Sequence, residues 1–153
     1  MRLLLDTTYF LPAIGVSIKG IPRNAAIELL REGHEVGISE VTLFELSAKG
    51  AKYAAAGALN PERVVRGVRA LRHDERVVKV PPYDAPVLLL ALRLREMLSD
   101  FIDCLILSTA VNWADLLVTE DGDILELAQR KDFKKITQPV NPSFKVLRLR
   151  DIL

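Results

Sequence analysis

The sequence predicts an α/β fold: a three-layer α/β/α sandwich around a mostly parallel sheet of about five strands. Three observations point there. Short aliphatic runs alternate along the whole chain with longer stretches of helical apolar spacing. The 153 residues are 50% hydrophobic, enough for one domain, residues 1–153, with a sizeable core and no sign of a linker or repeat. Acidic residues recur where strands give way to helices, the rim at which open α/β sheets bind their ligands.

Taken in order, Arg2 to Leu5 reads as a buried first strand ending at Asp6. A short helix from Thr7 is limited by Pro12 and Gly15, and Gly20 to Pro22 forms a turn. Asn24 to Arg31 has helical spacing, with Gly33 as its stop. Val36 to Ile38 is a second strand, and Ser39 caps a helix that runs to about Tyr53. Pro61 opens another helix at its favoured first position, with Val64, Val68 and Leu71 on one face and Arg63, Arg66, Arg69 and Arg72 spread over the rest. Val77 to Val80 is a third strand, broken by Pro81-Pro82. Asp84 then caps a helix Ala85 to Leu98, and Asp100 caps one from Phe101 to Asn112. Asp115 to Val118 is a fourth strand, Gly122 to Arg130 a last helix, and Phe144 to Leu149 a fifth, edge-like strand.

Composition narrows the chemistry. One cysteine, Cys104, excludes an intrachain disulfide and a cysteine-based zinc site, and His34 and His73 form no metal-type pair. The net charge of +1 argues against bulk attraction to nucleic acid, though not against a local basic patch. The longest apolar run, Val87 to Leu92, is too short to cross a bilayer, and Asp6 interrupts any signal-like segment, so a soluble, cytoplasmic protein is expected.

The acids then carry the argument. Asp6 ends the first strand, Glu45 lies in the second turn of the helix after the second, Asp103 lies in a first helical turn, and Asp121 follows the fourth strand. Each of the aspartates has a structural reading as a helix cap or capping partner. Glu45 lies too deep for a cap, between Phe44 and Leu46, although a solvated outer face would also hold it. If their helices start at one rim, all four carboxylates share a crevice, and an oxygen-only cluster suits a hard cation.

The segments Leu3-Leu4-Leu5-Asp6-Thr7-Thr8, Ser39 to Leu46, Asp103 to Ala110 and Leu117 to Asp123, in that order and with helix-length gaps, resemble a PIN domain. That nuclease fold occurs in the toxins of type II toxin–antitoxin pairs and in relatives of the flap endonucleases. The resemblance implies a Mg²⁺- or Mn²⁺-dependent endoribonuclease. Asp6, Glu45, Asp103 and Asp121 match the family's acidic quartet, Asp123 a further metal-binding acid, and Thr119 the small hydroxyl residue that organises the site. Ile124 departs from the pattern, standing where an aromatic is frequent. The implied partners are RNA, an antitoxin protein and a second copy in a homodimer. Arg130, Lys131, Lys134 and Lys135 are candidates for gripping RNA, more so than the arginines of the Pro61 helix.

Four other readings compete, of which two fail. An inactive PIN-like scaffold binding RNA or protein is one, and a free-standing RNA-processing nuclease is another. A phosphoacceptor receiver domain fails because its third strand should end in an aspartate, whereas this one ends in Val80-Pro81-Pro82. A dehalogenase-type phosphatase fails because Asp6-Thr7-Thr8 is not Asp-x-Asp.

Overall fold

A computed structural model describes all residues, 1–153. Five strands, β1 (Arg2–Leu5), β2 (Glu35–Ser39), β3 (Val77–Val80), β4 (Leu116–Val118) and β5 (Lys145–Leu147), form one sheet in the order β3-β2-β1-β4-β5. Every pairing is parallel. Helices cover both faces, which makes the chain the three-layer sandwich expected.

Each strand side chain alternates between faces, and β1 divides the core accordingly. Leu3 and Leu5 join Val36, Ile38, Leu116 and Val118 beneath Phe10, Leu29 and Leu46. Leu4 joins Leu117 and Val146 beneath Leu90, Leu94, Ile106 and Leu107. Gly37 shows how tightly the second layer sits: a Cβ built there would lie 2.4 Å from the Trp113 ring, so only glycine lets that ring lie on the sheet.

The helices are α1 (Ala25–Arg31), α2 (Glu40–Ala55), α3 (Pro61–His73), α4 (Ala85–Leu94), α5 (Phe101–Trp113), α6 (Gly122–Leu127) and α7 (Lys131–Thr137). Thr7–Ile14 is a 3-10 helix that closes on Gly15 at φ 97°. Ser39 and Asp100 cap α2 and α5 through their side chains, as expected. Asp84 stands at the cap of α4 but accepts no hydrogen bond there. Pro86, at the second helical position, has no N–H to offer it.

Three points of the helical layout differ from expectation, and β5 is shorter, Lys145–Leu147 rather than Phe144 to Leu149. α4 stops at Leu94 rather than Leu98, because the chain turns so that Met97 N–H donates to Leu94 O and Leu98 is buried. The helix expected over Gly122 to Arg130 stops at Leu127 and is not the last. A turn at Ala128 and Gln129 leads into α7, where only Phe133 and Thr137 are buried in a charged segment, a weak apolar signal. No helix is long and apolar enough to cross a membrane.

A candidate acidic site at the carboxyl rim of the sheet

Parallel strands point all their carboxyl ends the same way, so the segments leaving β1, β2 and β4 meet at one rim. Asp6 is the first of these. Its N–H continues the ladder by donating to Val118 O at 3.0 Å, which fixes its backbone against β4. Its Oδ1 accepts from Thr7 N–H at 2.7 Å, and its Oδ2 accepts from the Thr119 hydroxyl at 2.7 Å. Asp6 therefore has the capping role that its structural reading gave it. It is the one charged side chain among the buried residues.

Thr119 links the two strand ends. While donating to Asp6, its hydroxyl oxygen accepts from Asp121 N–H at 3.1 Å. Asp121 in turn caps α6, its Oδ1 accepting from Asp123 N–H at 2.8 Å and Ile124 N–H at 3.1 Å. Its other oxygen makes none of these bonds. Beside them, the Thr7 and Thr42 hydroxyls meet at 3.2 Å, joining the 3-10 helix to α2 one turn before Glu45. Sequence reasoning passed over this pair, because threonines in helices carry no distinctive pattern.

Glu45 and Asp103 are half-buried from α2 and α5. The charges interact. Burial raises the pKa of Asp6 first, against its hydrogen bonds, and the charges of Glu45 and Asp121 raise it further. Burial likewise pushes Asp103 up, and Asp100, Asp6, Asp121 and Glu45 add to the push, to about 7. The structure thus brings Asp6, Glu45, Asp103 and Asp121 within electrostatic reach of one another. Asp123 is exposed on the outer rim.

None of the four acids sits in a salt bridge: the salt bridges are Arg2–Glu35, Arg76–Asp74, Arg130–Asp132 and Arg150–Asp151. The carboxylates do not close on one point either: nowhere do three acidic, histidine or cysteine side chains gather closely enough to hold one ion as they stand.

The basic candidates separate. Arg130 forks onto Asp132, with Nε to Oδ1 at 3.0 Å and Nη2 to Oδ2 at 2.5 Å, and lines a cavity that Asp123 also lines. Lys134 lines a different cavity, of about 370 Å³, against β5. Lys131 and Lys135 are exposed on α7. On α3, Arg63 donates to the Ala13 and Pro12 carbonyls, the latter at 3.4 Å, and so serves the 3-10 helix, while Arg66, Arg69 and Arg72 face solvent. Glu120 is engaged away from the four acids: it accepts from the Tyr9 hydroxyl at 2.7 Å and from Leu149 N–H at 3.3 Å.

These charges give the metal-free protein an unusual pH response. The folded Asp103 carboxyl, at about 7 against its ordinary 3.8, holds a proton that the unfolded chain has released. Its contribution is full below about pH 4 and is lost as pH rises through about 7. Asp74 and Asp132, lowered by Arg76 and Arg130, act the opposite way and only as pH falls toward 4. In chelator, the melting temperature should decline from about pH 5 to pH 8, and Asp103→Asn should flatten that slope. An unchanged slope in the variant would remove Asp103 as its source.

The family model described as PIN domain matches residues 3–130. Among curated proteins none matches the chain in sequence. Among solved structures, the chain is similar to one in VapBC2 from Rickettsia felis, crystallised bound to a DNA fragment from their promoter. The TM-score is 0.59 at 21% identity, over 97% of this chain and 98% of that one. At that identity the likeness speaks for the fold.

Proposed function

This chain belongs to the PIN-domain family, and from that premise we propose that it is a divalent-metal-dependent endoribonuclease, the toxin of a toxin–antitoxin pair. The observation that carries the proposal is the uncompensated acidic crevice. Burial and neighbouring negative charge push Asp6 and Asp103 up, Glu45 and Asp121 adding to the push, and none of the four acids sits in a salt bridge. Natural folds tolerate such a cost where a bound cation offsets it.

The donor set fits a hard ion, since every candidate atom is a carboxylate oxygen. Asp6 would anchor Mg²⁺ or Mn²⁺, Asp103 and Asp121 would complete the site, and Glu45 would bind directly or through water. Asp123 would hold a second ion or orient a water. When bound, such an ion neutralises charge on the phosphate and lowers the pKa of water beside it. The protein's own part is positional. Thr119 holds Asp6 and Asp121 in register, Thr7 N–H fixes the Asp6 rotamer, and the α6 cap keeps one Asp121 oxygen turned from the helix.

Two apolar surfaces support the partners. Leu89 and Leu92 stand exposed along α4, with Tyr83 exposed just before it, as a homodimer contact would require. An apolar groove of about 330 Å³ runs between α2 and α3 past Gly50, Ala51, Val64, Val65 and Val68, and suits a segment of an antitoxin. The likeness to VapBC2 is a further reason for that reading.

Metal should stabilise the fold by mass action, by about 2.7 kcal/mol at a hundredfold excess over Kd. For a chain of this length that is roughly 5–10 °C in melting temperature. Differential scanning fluorimetry with Mg²⁺ or Mn²⁺ checks it. Equal shifts in the wild type and in Asp6→Asn would contradict the assignment of the metal site.

A further inference from the structure

Two titratable side chains beside the crevice have no part in the proposed site. Tyr9 is buried on the 3-10 helix, and Glu120 is half-buried between Thr119 and Asp121. The Tyr9 hydroxyl donates to Glu120 Oε1 at 2.7 Å, and Leu149 N–H donates to the same oxygen at 3.3 Å. Leu149 is itself buried, in a 3-10 turn after β5. Burial first, and then the hydrogen bond to Glu120, hold the Tyr9 phenol above its ordinary range, so it keeps its proton and donates. No salt bridge competes for Glu120.

The backbone shows what this pair is placed to do. A 3-10 helix has about three residues per turn, so residues three apart lie on one face. Tyr9 N–H donates to Asp6 O at 3.2 Å, which sets Tyr9 one turn beyond Asp6. On the facing chain, consecutive residues take these two up: Thr119 meets Asp6 at 2.7 Å, and Glu120 meets Tyr9 at 2.7 Å. The exits of β1 and β4 are thus tied twice. Thr119 N–H still reaches Leu147 O at 3.0 Å, but the Glu120 N–H and C=O make no hydrogen bond within the protein. Glu120 is fastened by its side chain alone, and Asp121 follows it directly.

We infer that Glu120, with Tyr9 as its donor, is a positioning residue of the acidic site: it holds the turn from β4 into α6 so that Asp121 stays within reach of Asp6 and Asp103. Its purpose rests on the proposed metal site; the tie itself does not. Leu149 N–H joins the chain after β5 to the same oxygen, so three segments meet on one carboxylate beside the crevice.

Two measurements separate positioning from folding. Asp121 N–H donates to Thr119 Oγ1 and Ile124 N–H donates to Asp121 Oδ1, so their hydrogen exchange, followed by NMR in EDTA, reads whether Asp121 keeps its place. Calorimetry with Mn²⁺ reads whether the site needs it there. Tyr9→Phe keeps the buried ring and removes the donor. Glu120→Ala removes the acceptor, and Glu120→Gln keeps an acceptor oxygen. In Tyr9→Phe and Glu120→Ala, exchange at Asp121 and Ile124 should quicken about tenfold, while Leu4 and Leu117 in the central strands stay protected. Mn²⁺ should bind about tenfold more weakly to both. Glu120→Gln should match the wild type in exchange and in affinity. Unchanged exchange, an equal loss in Glu120→Gln, or unchanged Mn²⁺ affinity where the wild type binds the ion would each overturn the inference. So would a loss spread evenly to Leu4 and Leu117, which would mark the pair as serving the fold alone. A wild type that binds no Mn²⁺ removes the metal site, and the exchange result then decides the positioning role by itself.

Discussion

Asp103→Asn should lower RNA cleavage by at least about a thousandfold while raising the melting temperature of the metal-free protein. The two effects have one cause. Asp103 sits half-buried among Asp100, Asp6, Asp121 and Glu45, and burial with those charges holds its pKa near 7. Its negative charge is a cost to the fold and an asset to the proposed ion. Losing one ligand removes several kcal/mol of stabilisation at the phosphate, and each 1.36 kcal/mol is about tenfold in rate. Asparagine keeps the size and drops the charge, so the empty crevice relaxes and the melting temperature gains a few degrees near pH 8. Metal should then stabilise the variant far less than the wild type. A variant losing activity and stability together would mark Asp103 as a structural residue. Asp6→Asn should behave similarly, because asparagine can still accept from Thr7 N–H and meet Thr119. Asp6→Ala should instead lose about 1 kcal/mol with its cap.

Gly67→Ala should be the most damaging small change outside the crevice. Gly67 lies in α3 where that helix crosses the 3-10 helix after Asp6. A Cβ there would stand 2.0 Å from Ala13 O, 2.7 Å from Ala13 C and 3.1 Å from Ile14 Cα. These are backbone atoms and cannot turn aside. Arg63 also donates to that Ala13 carbonyl, so displacing one helix breaks a second contact. Alanine's better helix propensity, up to about 1 kcal/mol, offsets part of the overpacking. A net loss of about 2 kcal/mol remains, roughly 4–8 °C by thermal denaturation. Gly122→Ala, with open space around its Cβ, is the control and should change little. Equal effects at both positions would show that the contact with Ala13 is not what Gly67 serves.

How much of this was readable beforehand follows from what each signal depends on. Strand ends and helix starts are local matters. Leu3 to Leu5 before Asp6, Ser39 before Glu40 and Pro61 after Asn60 carry their own structural meaning, and the structure agrees with each. The α7 helix was not legible because Lys131-Asp132-Phe133-Lys134-Lys135 buries only its phenylalanine, so charge hides its period. The turn at Leu94 was hidden because Arg95 and Glu96 look as helical as what precedes them.

The site divides the same way. The acids that match the family's pattern could be picked out by number, but their mutual reach comes from the strand order, with β1 central between β2 and β4. That one carboxylate should have a raised pKa follows from crowding alone. That Asp103 and Asp6 bear it follows from burial, which only the packed layers define. The basic run after Asp123 read as one cluster. In three dimensions Asp132 holds Arg130 beside α6, while Lys134 turns to the β5 side.

The central claim is that the acidic rim cuts RNA with the help of a divalent ion. The most direct measurement incubates the purified wild-type chain with a mixed set of structured and unstructured RNAs in Mg²⁺, Mn²⁺ or EDTA, beside the Asp6→Asn, Asp103→Asn double variant. The account predicts discrete cleavage in Mn²⁺ or Mg²⁺, none in EDTA and none by the variant in any condition. Cleavage that persists in EDTA or in the double variant, or a wild type that neither cuts RNA nor binds either metal by calorimetry, would contradict it.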